Sequence, residues 1–368
     1  MMQDLMTLLS PYKVTPKTAL KIYQQLGPES VEVLKNNPFE LCQISGFGFR
    51  RVDAIVQKNG NDLHDPMRIR GALICILDEI RGKQGHLYLD TESLINLGLK
   101  MLNEKIPIPG MRLCKQDVEE ELQGMILSGT VVLCHDNIYL PRIFDLEDST
   151  ARQIAKRLIS TSEVEHIAPL MEQIKKEMGV SLSAKQDKAV RMAFRHNLTI
   201  ITGSPGTGKT TVLKTILEVY RRQHTDGKIM LMAPTGRASR RMAESTGFEE
   251  AKTLHSGLGL GSEEDENGRK KEDSLLTADL IIVDEFSMVD MWLAKQLFQR
   301  LKDDCRIVLV GDADQLPSVG AGNVFHELIE CGLIPVTMLD EILVNQGLNR
   351  LTGFLGRPIP EFRNWFNQ

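Results

Sequence analysis

Residues 203–210 read Gly-Ser-Pro-Gly-Thr-Gly-Lys-Thr, the spacing G-x-x-x-x-G-K-[ST], directly after the apolar run LTIIT (198–202) and directly before a helical stretch, Thr211–Arg222. Glycines let backbone N–H groups close on phosphate oxygens, and the helix N-terminus adds the positive end of its dipole. Gly203, Pro205, Gly206, Thr207, Gly208, Lys209, Thr210 and Thr211 are therefore candidate nucleotide contacts. In this pattern Lys209 reaches the β- and γ-phosphates and the Thr210 hydroxyl ligates Mg²⁺.

A second apolar run, LIIV (280–283), ends in Asp284-Glu285. At a strand end after such a loop, Asp284 is expected to hold Mg²⁺ through water, and Glu285 to act as the general base that polarises the attacking water. A third run, RIVLVGD (306–312), opens into a glycine-rich loop that presents Gln315, whose amide could sense the γ-phosphate or the attacking water. On composition alone a simple turn would serve there equally.

These groups need a frame. From Ala151 onward the runs LTIIT, KIMLMA (228–233), LIIVDE, RIVLVGD and IPVTML (334–339) alternate with helical segments, which predicts a parallel sheet covered on both faces. The fold class is α/β, with a P-loop lobe over 149–342. Ahead of it, 1–63 reads as two helix-hairpin-helix units: helices Thr18–Leu26 and Phe49–Lys58 follow the KVTPK and ISGFG turns, with arms at Val31–Leu34 and Phe39–Ile44. Residues 64–148 read as a winged-helix-like module. It has a helix begun by Asp65-Pro66, helices near Thr91–Leu102 and Lys115–Leu127, and a hairpin turning at Asp136-Asn137.

In the second hairpin unit Gly46 and Gly48 could offer N–H groups to DNA phosphate, with Arg50 and Arg51 beside them; protein contact is the alternative use of such a unit. The first unit carries Val14-Thr15-Pro16 where a Gly-x-Gly would stand and reads as packing only.

Composition bounds the rest. A chain of 368 residues suggests roughly two or three domains; its 42% apolar and 25% charged content, with no apolar run long enough for a membrane span, predicts a globular protein without membrane partners. The start MMQDLMTLLSPYK lacks the features of a secretory signal, so a cytoplasmic location is expected. Six dispersed cysteines without a Cys-x-x-Cys pair read as reduced, mostly buried thiols. A net charge of −5 excludes a generally basic coat, so any nucleic-acid contact must be local.

GSPGTGKT, APTGRASRRM (233–242), AKTLHSGLG (251–259), IIVDEFSMVD and LVGDADQLPSVGAGNVF together resemble the RecD-like DNA helicases of superfamily one, over roughly residues 10 to 342. The resemblance implies a RecA-like lobe, ATP and Mg²⁺ as cofactors, and 5′-to-3′ movement on single-stranded DNA in repair or recombination, acting on junctions or ends. It places Leu182 and Gln186 in an adenine-reading motif; a solvated helix position is the other reading of Gln186. Pro234, Thr235, Gly236 and Arg237 become single-strand contacts, as do Thr253 and His255, for which ordinary helix capping is the alternative.

The family's strand-separating pin would fall in the charged insertion near 260–275, where Asn267-Gly268 signals a hairpin; a charged loop without strands fits its composition as well. The match fades after LDEI (339–342), leaving a divergent tail over 343–368 in which Arg350, Arg357 and Arg363 match no finger motif. This predicts that the second RecA-like lobe is absent from this chain, with a gene fragment, a frameshift and a partner protein that supplies the lobe as the three alternatives. The rival readings are a non-hydrolysing, nucleotide-responsive DNA-binding protein and an AAA-type assembly ATPase.

Overall fold

The computed structural model describes residues 2–44, 47–58, 62–159, 167–248, 250–260, 275–316 and 318–341. The chain forms two compact units, one of Met1–Ala151 together with Asp290–Lys295 and Ser318–Gly322, the other of the remaining residues from Arg152 onward. Gly46, the charged insertion over 261–274 and the tail from 342 lie outside the described residues.

The first unit is helical. Helices α1 (Met2–Leu9), α2 (Pro16–Leu26), α3 (Ser30–Asn36) and α4 (Phe49–Lys58) precede the long α5 (Pro66–Gln84). Proline stands in the first turn of α2 and α5, and a side chain before it caps the helix: the Thr18 N–H donates to Thr15 Oγ1 at 3.3 Å and the Met67 N–H to Asp65 Oδ1 at 2.9 Å. The strand β1 (Tyr88–Asp90), helices α6 (Thr91–Asn103) and α7 (Lys115–Leu127), strands β2 (Val132–Cys134) and β3 (Asn137–Tyr139) and helix α8 (Pro141–Ile159) follow. The three strands make an antiparallel sheet in the order β1-β3-β2.

Two details depart from expectation. The hairpin turns at His135-Asp136, with His135 in the left-handed region at φ 57° and Asn137 already paired to Cys134, one residue earlier than the sequence suggests. One apolar cluster also runs from Leu5 to Ile143, so both helical modules share a core.

A buried ion pair crosses that core. Arg68, 1% exposed, donates from Nε to Asp53 Oδ1 at 2.6 Å and from Nη2 to Asp53 Oδ2 at 3.1 Å. Its remaining donors reach the carbonyls of Leu63 (2.9 Å) and Leu102 (2.8 Å), so one guanidinium joins α4, α5 and α6. The bidentate fork satisfies both carboxylate oxygens, as a charge taken out of water requires.

The second unit opens with α9 (Ala168–Met178) and α10 (Ala184–Arg195), then alternates strand and helix. In order these are β4 (Leu198–Gly203), α11 (Lys209–Gln223), β5 (Ile229–Ala233), α12 (Gly236–Thr246), β6 (Ala251–Thr253), α13 (Leu254–Gly257), β7 (Leu280–Val283), α14 (Met291–Gln299, of which only Gln296–Gln299 belong to this unit), β8 (Arg306–Gly311), α15 (Val324–Glu330) and β9 (Val336–Leu339). All neighbours pair in parallel, in the order β6-β5-β7-β8-β4-β9. Every residue of β4, β7 and β8 is buried, which is why these strands are continuous apolar runs without alternation. Leu213, Ile216 and Leu217 of α11 and Val190 and Phe194 of α10 pack against Ile201, Val308 and Val310 in one core.

The six cysteines are free, but only Cys75 and Cys305 are buried; Cys42 and Cys134 are half-buried and Cys114 and Cys331 exposed, fewer inside than their apolar character suggested. Among the described residues no helix is long and apolar enough to cross a membrane.

Arg68→Met should destabilise the protein by roughly 3–5 kcal/mol in urea unfolding, because Asp53 is left as an uncompensated buried charge, and Asp53→Leu in the same chain should recover much of that loss. A loss below about 1 kcal/mol would show that the pair carries no such load.

Candidate functional site

A sheet covered on both faces leaves only its strand ends for polar chemistry, and the carboxyl ends of β4, β5, β6, β7 and β8 carry the motifs of the second unit other than that of Leu182 and Gln186. At the end of β4, Gly203 lies where a Cβ would stand 2.5 Å from the Leu339 carbonyl of β9 and 2.8 Å from Thr207 Oγ1, so only glycine lets the cradle close there. Gly206 and Gly208 take positive φ, 88° and 84°, which turns the chain into α11 without strain. No side chain caps α11 at Gly208, and its leading N–H groups face the cradle, the donor set a polyphosphate requires.

The loop is braced from within. Thr207, buried, donates from Oγ1 to the Ser204 carbonyl at 2.8 Å. The Lys209 ammonium donates to the Gly203 carbonyl and lies 3.4 Å from that of Ser204. Ser204, Pro205, Gly206 and Thr210 are exposed.

Gln186 reaches the cradle from α10. It is 2% exposed; its Nε2 donates to the Thr207 carbonyl at 3.0 Å, and its Oε1 accepts the Ser183 N–H at 3.0 Å in a capping box. The carboxamide thus ties a helix start to the phosphate loop, a positioning contact that sequence reading did not foresee. Gln186 is therefore no solvated helix residue. Leu182 is half-buried against the core of the unit.

At the end of β7 the Asp284 N–H donates to the Met232 carbonyl of β5 at 2.9 Å, which sets the aspartate one step beyond the strand. Burial pushes the Asp284 carboxyl up from its ordinary range, opposed by the Glu285 N–H that it accepts at 2.9 Å and by the charges of Lys209 and Arg241. Glu285 is itself in the left-handed region, φ 53° and ψ 38°. That conformation costs a residue with a side chain on the order of 1–2 kcal/mol. Burial first, and then the Asp284 charge, push the Glu285 carboxyl up as well, while Arg241 and Lys209 pull it down and Asp312 adds to the rise.

The end of β8 completes the group. Asp312 is 4% exposed and accepts the Asp314 N–H at 3.1 Å; Thr202 Oγ1 of β4 accepts the Ala313 N–H at 3.1 Å; and the Gln315 N–H donates to the Asp312 carbonyl at 3.2 Å. The Gln315 side chain is exposed. Among the described residues there is no group of three or more His, Cys, Asp or Glu suited to a metal. A cation here would rest on Thr210, Asp284, water and substrate phosphate, the sparse ligand set that suits Mg²⁺.

On the other half of the sheet, β5 and β6 pair in register Ala233↔Thr253, and each runs straight into a helix. Thr235 Oγ1 accepts the Ala238 N–H at 3.2 Å to cap α12, and Thr253 Oγ1 accepts the Ser256 N–H at 3.1 Å to cap α13. Capping is therefore a present role of both threonines. Arg237 and His255 are exposed, Pro234 and Gly236 half-exposed. The Thr253 methyl group lies 4.0 Å from where a Gly236 Cβ would stand, so the two caps adjoin.

In the first unit Gly48 is exposed, with nothing within 4 Å of its Cβ position, and the Arg51 N–H donates to its carbonyl at 3.0 Å to start α4. The Arg51 guanidinium donates to the Tyr12 carbonyl and lies 5.4 Å from the Phe47 ring centre, and Arg50 Nε lies 2.9 Å from Glu104. Arg51 therefore already serves the fold of this unit, which its sequence context did not reveal, while Arg50 makes an exposed ion pair.

Residues 1–88 match the family described as the ATP-dependent RecD2 DNA helicase HHH domain, and residues 186–321 match a family described as an AAA domain. The chain is 29% identical over 314 residues to the ATP-dependent RecD2 DNA helicase of Deinococcus radiodurans, covering 84% of this chain and 43% of that protein. It is 36% identical over 166 residues to the RecBCD enzyme subunit RecD of Mycolicibacterium smegmatis, covering 40% of this chain and 30% of the relative. The chain thus spans less than half the length of either relative. Among solved structures it is similar to the Pif1 helicase from Candida albicans, at 28% identity and a TM-score of 0.35, over 48% of this chain and 43% of the other.

The raised Asp284 carboxyl has a consequence for stability. A folded-state shift upward means that the ionised group costs stability at neutral pH, and that this cost disappears as pH falls and the carboxyl takes up its proton. Asp284→Asn should therefore raise the melting temperature of the metal-free protein at neutral pH, with the gain vanishing in acid. A variant that melts lower than the parent at neutral pH would refute that assignment.

Proposed function

We propose that this chain, which resembles RecD proteins in its helical front and in its P-loop lobe, is an ATP-dependent DNA helicase polypeptide of that type. In this proposal it binds Mg-ATP and single-stranded DNA for 5′-to-3′ movement in repair or recombination. The observation that carries the reading is the gathering of Lys209, Asp284, Glu285 and Asp312 at three strand ends, where the Lys209 charge acts on both Asp284 and Glu285, and the Asp284 and Asp312 charges act on Glu285.

The roles follow from the chemistry of each group. Lys209 and the N–H groups of 206–211 hold the phosphates, and Gln186 reads the base. Thr210 and Asp284 would hold Mg²⁺, which when bound supplies charge neutralisation on the phosphate oxygens. Glu285 takes the proton of the attacking water, and Gln315, exposed on the loop after β8, senses the terminal phosphate. An arginine that stabilises the transferring group is expected from a second lobe, carried in cis or by a partner.

Pro234 to Arg237 and Thr253 with His255 grip the strand through helix starts and a cation, and Gly46 and Gly48 with the arginines beside them extend the contact to junctions or ends. The match of 1–88 to a DNA helicase HHH domain supports this reading over an assembly ATPase. The expected location is the cytoplasm.

Two variants separate the enzyme from a non-hydrolysing DNA-binding protein. Lys209→Ala should lose binding of a fluorescent ATP analogue, whereas Glu285→Gln should keep it and lose single-strand-stimulated ATP hydrolysis by about 10²- to 10⁴-fold. Parent protein that hydrolyses ATP no faster with single-stranded DNA than Glu285→Gln does would overturn the enzymatic reading.

A further inference from the structure

Helix α12 carries three arginines in the segment GRASRRM, and they do different things. Arg240 turns back to the start of its own helix, its Nε donating to the Gly236 carbonyl at 3.2 Å. Arg237 and Arg241, four residues apart, lie on one face of the helix a single turn from each other. Arg237 belongs to the proposed strand contact. Arg241 points the other way in function: its Nη2 lies 3.8 Å from Glu285 Oε1, the carboxylate assigned as general base.

The two partners differ in setting. The Arg241 side chain is 77% exposed and that of Glu285 only 20%. Glu285 sits where its backbone is strained, directly after β7, and β7 is the sheet neighbour of β5, which leads into α12. Lys209, Asp284 and Asp312 are the other charged groups that act on Glu285, so Arg241 is its one cationic neighbour from the proposed DNA-contact helix.

We propose that Arg241 is a positioning residue that holds Glu285 toward α12, and that a DNA backbone seated on the Arg237–Arg241 face competes for Arg241 and releases the carboxylate. This rests on the reading of α12 as a strand contact. An exposed guanidinium with one long ion-pair contact is open to capture by phosphate, which offers it a bidentate partner. Strand binding and release of the base then become a single exchange of partners, and the coupling works in both directions. DNA frees Glu285, and loss of the Glu285 charge frees Arg241 for DNA.

The reciprocal effect is testable without ATP turnover. Binding of a short fluorescein-labelled oligothymidylate, followed by anisotropy without nucleotide, should tighten about two- to fivefold in Glu285→Gln, the range expected for removing one exposed pair. In an Arg241→Ala background the same Glu285→Gln change should have no effect, whereas in Arg241→Lys it should again tighten binding. In hydrolysis assays Arg241→Ala should raise the DNA-independent rate and shrink the stimulation by DNA, with Arg241→Lys restoring the parental ratio. Equal tightening by Glu285→Gln with and without Arg241 would overturn the inference and leave the helicase reading intact. No binding of the oligonucleotide by the parent protein would overturn both.

Discussion

The second unit is governed by one constraint: a parallel sheet whose central strands are buried on both faces has nowhere to place a charge except at a strand end. β4, β7 and β8 are buried at every position, and their next residues are Ser204, Asp284 and Asp312. The apolar runs that hold the lobe together therefore also fix where its polar groups emerge and how far apart they stand. The approach of β9 to β4 tightens this further, since the Leu339 carbonyl occupies the space that any Cβ at 203 would need. Close packing and the phosphate cradle impose the same glycine.

Charge inside this frame is balanced at a cost. Asp284 and Glu285 are adjacent, partly buried carboxyls whose proton affinity burial raises; the Asp284 charge adds to the rise at Glu285, with Lys209 and Arg241 as the opposing cations. Glu285 carries backbone strain besides. Strain and desolvation thus collect at two neighbouring residues at the end of β7. The first unit shows the opposite use of a buried charge. There the Arg68–Asp53 pair is fully satisfied and joins three helices.

Much of this architecture was legible in the residues. The long apolar strands declare themselves because burial on both faces removes alternation, and α4 and α7 have the bounds that their patterns and flanking turns predict. Short edge elements were not legible: β6 is Ala-Lys-Thr and β1 is Tyr-Leu-Asp, too brief and too polar to show a period, and both exist through pairing with a neighbour. The P-loop lysine, Asp284 and Glu285 follow from motif spacing. The contacts that hold the site do not, since Gln186 to Thr207, Arg241 to Glu285 and Arg68 to Asp53 join residues that only the tertiary fold brings together. An arginine on a polar helix reads as a solvated side chain until its partner is known.

Hydrogen exchange measured by mass spectrometry tests the central claim most directly, that one end of one sheet holds both nucleotide and strand. Adding a non-hydrolysable Mg-ATP analogue should slow exchange across 203–211 and 284–286, and adding oligothymidylate should slow it across 234–238 and 253–256. Protection by either ligand confined to the helical unit, with the strand ends of the lobe unchanged, would contradict the account.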